Sequence, residues 1–467
     1  MLAKIFRLNL LLLGTAMPVL ASETSFSEIH QCYSKADQPG SAILLALDDQ
    51  VIYKNAIGLA DLDSKLALSD QDVFQIGSVT KQFTAAAIML LEQQGKLSSA
   101  DKLAQYFPQY PQLNSNITLA QVLSHSAGLA DYLDNPATMK LTQDYAALDA
   151  VVAELMKDKA IAAPGEKYSY SNTGYVLLGK IIEQVSERSY ASFMQASIFQ
   201  PLGLKNTQVI SQKSPEQGVK GYTRKTQKQK QEQEQEQEQK QQQQPTQYIL
   251  PDRVDRSWIH AAGGIKSTLG DMVLWQQALK DGKLLQSKNY ARMTTPYQLN
   301  SGEKIKYGFG FDIYPISGKA SISHQGRVPG YASWAVYFPD EHVYGITLSN
   351  NDSVHPGPAL LHLLGIALKV LPPTIDVPIS PIYTKQFVGQ YQLENGDIRT
   401  ISLLDGQLMA QYNQGEKHRL QVRKDNAVSY ACNSDYFQLV NQDGKPGLQE
   451  VSLYFGPGPI AYKIQSE

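Results

Sequence analysis

From about Gly40 to Leu59 apolar and polar positions alternate. Ala42-Ile43-Leu44-Leu45-Ala46 and Val51-Ile52-Tyr53 flank Asp48-Asp49-Gln50, which predicts two antiparallel strands joined by a turn. Helical spacing then dominates to about residue 210. It is clearest after Ser78, where Val79, Phe83, Ala86 and Leu90 recur and Gly95 ends the pattern. Strand patterns return at 307–314, 321–324, 333–338 and 343–349, and an apolar helix at 359–371 follows. Strands at both ends of a helical middle predict an α/β sandwich whose sheet joins the two ends of the domain.

Two stretches break this pattern. Residues 225–244 are almost entirely Gln, Lys and Glu, with no apolar residue to pack, so they read as a solvated insertion. Pro372, Pro373, Pro378 and Pro381 mark a linker. Beyond it, alternating runs and the turn pairs Asn395-Gly396, Asp405-Gly406 and Asp443-Gly444 predict a small β-barrel-like domain over 376–467. At the other end, Lys4 and Arg7, the apolar run 8–13 and Val19-Leu20-Ala21 form a signal-peptide pattern over 1–21, with an uncleaved anchor as the alternative. That leaves 22–375 for the main domain, exported to the periplasm or beyond.

Composition narrows the function. Hydrophobic residues make up 42% and charged residues 18%, enough to bury a sizeable core. Without Lys4 and Arg7 the acidic residues exceed the basic ones by about four, so neither nucleic acid nor an anionic membrane is an expected partner. The 359–371 run is too short to span a bilayer and carries His362 and Lys369. Cys32 and Cys432 are the only cysteines; a disulfide and two free thiols are both open. No metal-ligand spacing occurs, so no metal or other cofactor is expected.

Three short motifs carry the candidate chemistry. Ser78-Val79-Thr80-Lys81 opens a buried helix, which puts Lys81 on the same face as the Ser78 hydroxyl and the helix N-terminus beside it. Burial would lower the Lys81 pKa and help it accept the serine proton. Ser99…Lys102 and Ser301…Lys304 repeat the spacing in polar, turn-like sequence, so context selects Ser78. Tyr170-Ser171-Asn172 follows Pro164-Gly165 and precedes an apolar helix; its tyrosine suits a base, its asparagine a substrate carbonyl or a helix cap. His324-Gln325-Gly326 ends a predicted strand, with a histidine able to donate to substrate or to the tyrosine oxygen and a glycine that admits a close backbone approach. Tyr53-Lys54-Asn55 and His355-Pro356-Gly357 repeat the last two spacings in less suitable contexts.

With these motifs, and with Leu123-Ser124-His125-Ser126-Ala127-Gly128-Leu129 and Ala262-Gly263-Gly264-Ile265, the chain resembles the serine hydrolases related to class C β-lactamases, DD-peptidases, D-aminopeptidases and esterases over about residues 30 to 370. The resemblance implies a β-lactamase/transpeptidase-like antiparallel sheet flanked by helices, with an all-helical subdomain and a lipocalin-like barrel after it. It implies that Ser78 is acylated, that Lys81 and Tyr170 share the base role, and that Asn172 binds the acyl side chain. The N–H groups of Ser78 and Arg327 would form the oxyanion hole, His324 and Gly326 would line the substrate site, and His125 would be structural. Class C β-lactamases carry Lys-Thr-Gly where this chain has His324-Gln325-Gly326, and a histidine binds a carboxylate less firmly. The leading expectation is therefore hydrolysis of an ester, amide or D-amino-acid peptide. A β-lactamase stands second, and a non-hydrolytic binding protein on the same fold third.

Overall fold

The computed structural model describes residues 23–110, 113, 116–210, 218–225, 247–371, 385–422, 427–430, 435–452 and 456–464. The expected signal peptide, most of the Gln-rich insertion, the proline linker and Cys432 lie outside the described residues.

A six-stranded antiparallel sheet forms the centre. Its strands are β1 (Ser41–Leu47), β2 (Gln50–Ile57), β3 (Asp312–Ile313), β4 (Ile322–Val328), β5 (Tyr331–Phe338) and β6 (Val343–Ser349), in the spatial order β3-β4-β5-β6-β1-β2. The central pairing of β1 with β6, Ser41 opposite Ser349 and Leu47 opposite Val343, brings together strands from the two ends of the domain's sequence. The β1–β2 turn places Asp48 and Asp49 at positive φ (49° and 65°), the conformation of a tight hairpin whose twist matches its strands.

One face of the sheet is covered by α1 (Glu23–Tyr33) and by α6 (Gly357–Ala367), closing a core of Phe26, Ile29, Trp334, Leu360 and Leu363. The other face packs on the helical region, which includes α2 (Thr80–Gln93), α3 (Asn172–Ser186), α4 (Arg256–Gly263) and α5 (Leu269–Lys280). Every residue of α2 from Thr80 to Leu91 is buried. A helix apolar on all sides belongs at the middle of a core; Phe83 stacks there on Trp275 with ring centroids 3.9 Å apart.

Two sequence expectations need correction. The 307–314 pattern yields a strand only at Asp312–Ile313, because the chain folds back so that Tyr307 bridges Asp312. The strand expected to end at His324 continues through Gly326 and Arg327 to Val328, paired residue by residue with β5.

Strands β7 (Gly389–Gln392), β8 (Ile398–Leu404), β9 (Gln407–Tyr412), β10 (Lys417–Val422), β11 (Val428–Tyr430), β12 (Tyr436–Gln442), β13 (Lys445–Ser452) and β14 (Gly456–Lys463) form a closed barrel. Closure leaves no free edge. The interior is filled by Phe387, Tyr391, Ile401, Leu408, Phe437 and Leu448. Arg399 lies among them, 3.0 Å from Glu450 and 4.4 Å from the Phe437 ring. Tyr436 packs against the core beneath α1 and α6. Cys32 of α1 is disulfide-bonded, which decides one of the alternatives above.

The sheet reaches Ser78 through backbone. Ser78 sits in a short 3-10 turn, Gly77–Val79, immediately before α2 rather than in its first α turn. The carbonyl of Ile76 accepts from Ser333 Oγ of β5 at 2.8 Å, and the N–H of Ile76 donates to Ile265 O at 3.0 Å. Gly77 has φ +51°, and a Cβ there would lie 2.6 Å from Arg327 N. A Cβ on Gly326 would lie 2.0 Å from Ile76 O. Both contacts are with backbone, so neither yields to a side-chain rotation. Gly326→Ala is expected to lower stability by ~1–3 kcal/mol through overpacking and to push the Ser78 turn off the strand. Denaturant melts together with steady-state rates check this: an unchanged midpoint and unchanged rate would contradict the close docking.

Candidate active site

Lys81 has no exposed surface. Its ammonium donates to Asn172 Oδ1 at 2.7 Å, to Ala262 O at 2.8 Å and to Ser78 Oγ at 3.1 Å. The three acceptors come from three elements. Ser78 precedes α2, Asn172 opens α3, and Ala262 lies near the end of α4. Burial pulls the Lys81 pKa down to about 7, against a smaller opposing pull from Asp131. When the ammonium loses a proton, two N–H bonds suffice for Asn172 and Ala262, and the lone pair is left for the Ser78 hydroxyl. The arrangement therefore holds a neutral amine in the pose of a general base.

Asn172 is held on both sides. Its oxygen serves Lys81, and its nitrogen donates to Asp131 Oδ2 at 2.8 Å. One amide N–H remains for a substrate carbonyl. The cap of α3 is Ser171, whose Oγ accepts from Gly174 N, rather than Asn172. The Asp131 carboxyl is raised by burial.

Tyr170 stands beside Ser78, with its ring 4.8 Å from Lys81 Nζ. Burial pushes its phenol well above 10, and a hydrogen bond with Ser78 offsets this only in part. Tyr170 therefore keeps its phenol proton at neutral pH.

His125 brackets this tyrosine. It adopts φ +57°; its carbonyl accepts from Ser169 N at 2.7 Å and its Nδ1 accepts from Ser171 N at 3.0 Å. Its ring lies 4.2 Å from that of Tyr170. Burial holds the imidazole neutral.

His324 lines the same cavity, but both ring nitrogens are engaged. Nδ1 faces Gln325 O at 2.6 Å, so it carries the proton, and Nε2 accepts from Tyr307 OH at 2.9 Å. Burial lowers its pKa to about 3. The donation to substrate or to Tyr170 that the sequence suggested would require this arrangement to break. The duplicate spacings are elsewhere: Ser99 contacts Glu92, and Lys102 donates to Asn116 O.

The cavity encloses about 450 Å³ and is lined by Ser78, Tyr170, Asp312, His324, Gly326 and Arg327, among others. All seven residues expected from the sequence border it or, for Lys81 and Asn172, stand directly behind Ser78. Asp131, Tyr307 and Asp312 were missed. Asp131 follows Leu129-Ala130 with no spacing to mark it, and Tyr307 and Asp312 are brought in by the fold-back of a segment that reads as plain strand.

Residues 27–367 match the Beta-lactamase family, and the chain belongs to it, a family of serine hydrolases. Penicillin-binding protein 4* of Bacillus subtilis is 30% identical over 383 residues, 77% of this chain and 80% of that protein. A D-aminopeptidase of Brucella canis is 25% identical over 76% of this chain, which spans 64% of that protein's length. The octameric penicillin-binding protein homologue of Pyrococcus abyssi shares the fold, with TM-score 0.61 and 22% identity over 94% of this chain and 98% of its own.

Asp131 raises the Lys81 pKa, so removing its charge disfavours the ammonium further. In Asp131→Asn the acid limb of the acylation rate is expected to move to lower pH than in the wild type. Stopped-flow acylation across pH 5–9 checks this, and a limb moved to higher pH would contradict the assignment of Lys81 as the titrating group.

Proposed function

We propose that the protein hydrolyses an ester, amide or D-amino-acid-containing peptide through a covalent acyl-Ser78 intermediate, acting outside the cytoplasm. The observation that carries this reading is the contact of a buried lysine, titrating near neutrality, with the Ser78 hydroxyl. Neutral Lys81 takes the proton of Ser78 Oγ as the oxygen bonds to the acyl carbon. The carbonyl electron pair moves onto the carbonyl oxygen, which the N–H groups of Ser78 and Arg327 receive. As the tetrahedral intermediate collapses, the bond to the leaving group breaks. The proton on Lys81 reaches the departing oxygen or nitrogen by way of the Tyr170 hydroxyl, which accepts one proton and donates another. Water then repeats the sequence on the acyl-enzyme and restores Ser78. The remaining amide N–H of Asn172 holds the acyl side chain.

The substrate class follows from the site and from the relatives. One relative is named as a D-aminopeptidase and another as a penicillin-binding protein. A neutral His324 gives a β-lactam carboxylate no cation at the third motif. Export is supported by the leader-like sequence of 1–21 and by the disulfide at Cys32, a bond that persists in oxidising compartments. Among the described residues no helix is long and apolar enough to cross a membrane.

A fluorophosphonate should label the peptide that contains Ser78, and Ser78→Ala should abolish both the label and the turnover of nitrophenyl esters. Equal labelling of wild type and Ser78→Ala would overturn the proposal. On nitrocefin, kcat/KM is expected at least ~100-fold below that on the best D-alanyl substrate, a gap of about 2.7 kcal/mol in transition-state binding. The reverse order would favour the β-lactamase reading.

A further inference from the structure

One carboxylate in the cavity has no part in the chemistry described above. Asp312 lines the same cavity as Ser78 and is half-buried in its wall. Among the described residues it has no side-chain hydrogen bond and no ion pair. Burial alone pushes its carboxyl up to about 7. Its charge reaches the phenols of Tyr168, Tyr170, Tyr175 and Tyr307 and raises each of them, which places it beside the aromatic wall of the site.

The strand register fixes where it stands. Asp312 lies opposite Ser323, and Arg327 follows four residues along β4. At about 3.3 Å per residue the two backbone positions are ~13 Å apart along the strand. The turn that carries Ser78 packs on the Arg327 end. The cavity is therefore polarised, with the nucleophile and an exposed arginine toward one end and a lone carboxylate toward the other. Between them the imidazole of His324 is neutral and both of its nitrogens are occupied. Among the described residues no cation forms an ion pair with Asp312. A charge left half-buried without a partner is costly, and a ligand that supplies the opposite charge recovers that cost.

We propose that Asp312 is a specificity-determining residue that receives an ammonium group of the substrate, so that the enzyme prefers amine-bearing substrates and rejects those with a carboxylate at that end of the cavity. This rests on the acyl-Ser78 reading and names the substrate class for it. Residue Asp312 takes no part in bond making; it selects by charge.

The test uses two sets of probes, because the ammonium can stand on either side of the scissile bond. In the first, D-alanine amide is compared with its N-acetyl and N-succinyl derivatives. In the second, N-acetyl-D-alanine is joined to lysine amide, norleucine amide or glutamate amide. In at least one set kcat/KM for the ammonium-bearing probe should exceed that for the carboxylate probe by about tenfold or more, the size expected for one charge-assisted hydrogen bond. In Asp312→Asn that ratio should fall to near one, and Asp312→Glu should restore part of it. Dissociation constants for the same probes on Ser78→Ala and on Ser78→Ala with Asp312→Asn need no turnover. They should show the same preference and its loss even if hydrolysis itself fails. A preference for the carboxylate probe, no preference in either set, or a preference that survives Asp312→Asn would overturn the proposal.

Discussion

Everything in the site depends on keeping the Lys81 side chain out of water. An ammonium with no exposed surface is expensive, and it is tolerated only because three oxygens face it from three separate parts of the chain. The same burial that costs stability lowers the pKa to about 7. Packing and catalysis are thus one constraint. Helix α2 must be buried on all sides, α3 must begin at Asn172, and α4 must end so that the Ala262 carbonyl points at the amine. The strained backbone of His260, at φ 36° and ψ −127°, lies two residues before Ala262 and breaks the regular path of α4 there. Strain of this kind persists where surrounding structure fixes it and is found near functional sites.

The central sheet supplies the second half of the site. Strand β4 passes so close to the Ser78 turn that neither Gly326 nor Gly77 has room for a side chain. The backbone of Gly326 and Arg327 therefore reaches the Ser78 turn directly, and the cavity is bounded by this strand and by Tyr170. The tyrosine is placed in turn by His125, which holds the residues on either side of it. The result is a serine hydroxyl approached by a strand, an amine and a phenol.

Much of this was legible in the sequence because it is local. The helix after Ser78 follows from its apolar spacing, the hairpin at Asp48-Asp49 from its turn residues, and the barrel from its turn pairs and alternation. Ser78 and Lys81 share a helix face whatever the rest of the fold does. The failures are long-range. Nothing near Asn172 in sequence says that its oxygen will serve a lysine 91 positions earlier, or that its nitrogen will meet Asp131. His324 reads as a donor to substrate until Tyr307 and the Gln325 carbonyl claim its two nitrogens. Asp312 looks like one polar position in a strand, and only the fold-back at 307–312 brings it to the cavity. Motif spacing identified which residues gather; hydrogen-bond partners at large sequence separation decide the protonation state each one holds.

The central claim is that Lys81 is a neutral amine at working pH because it is buried against Ser78. The most direct measurement is an NMR titration of the Lys81 side chain, observed through its Cε chemical shift in protein carrying 13C-labelled lysine and assigned with Lys81→Met. A single transition near pH 7, well separated from the surface lysines, is expected. A Lys81 signal that stays in its ammonium position until pH 10, where exposed lysines titrate, would contradict it.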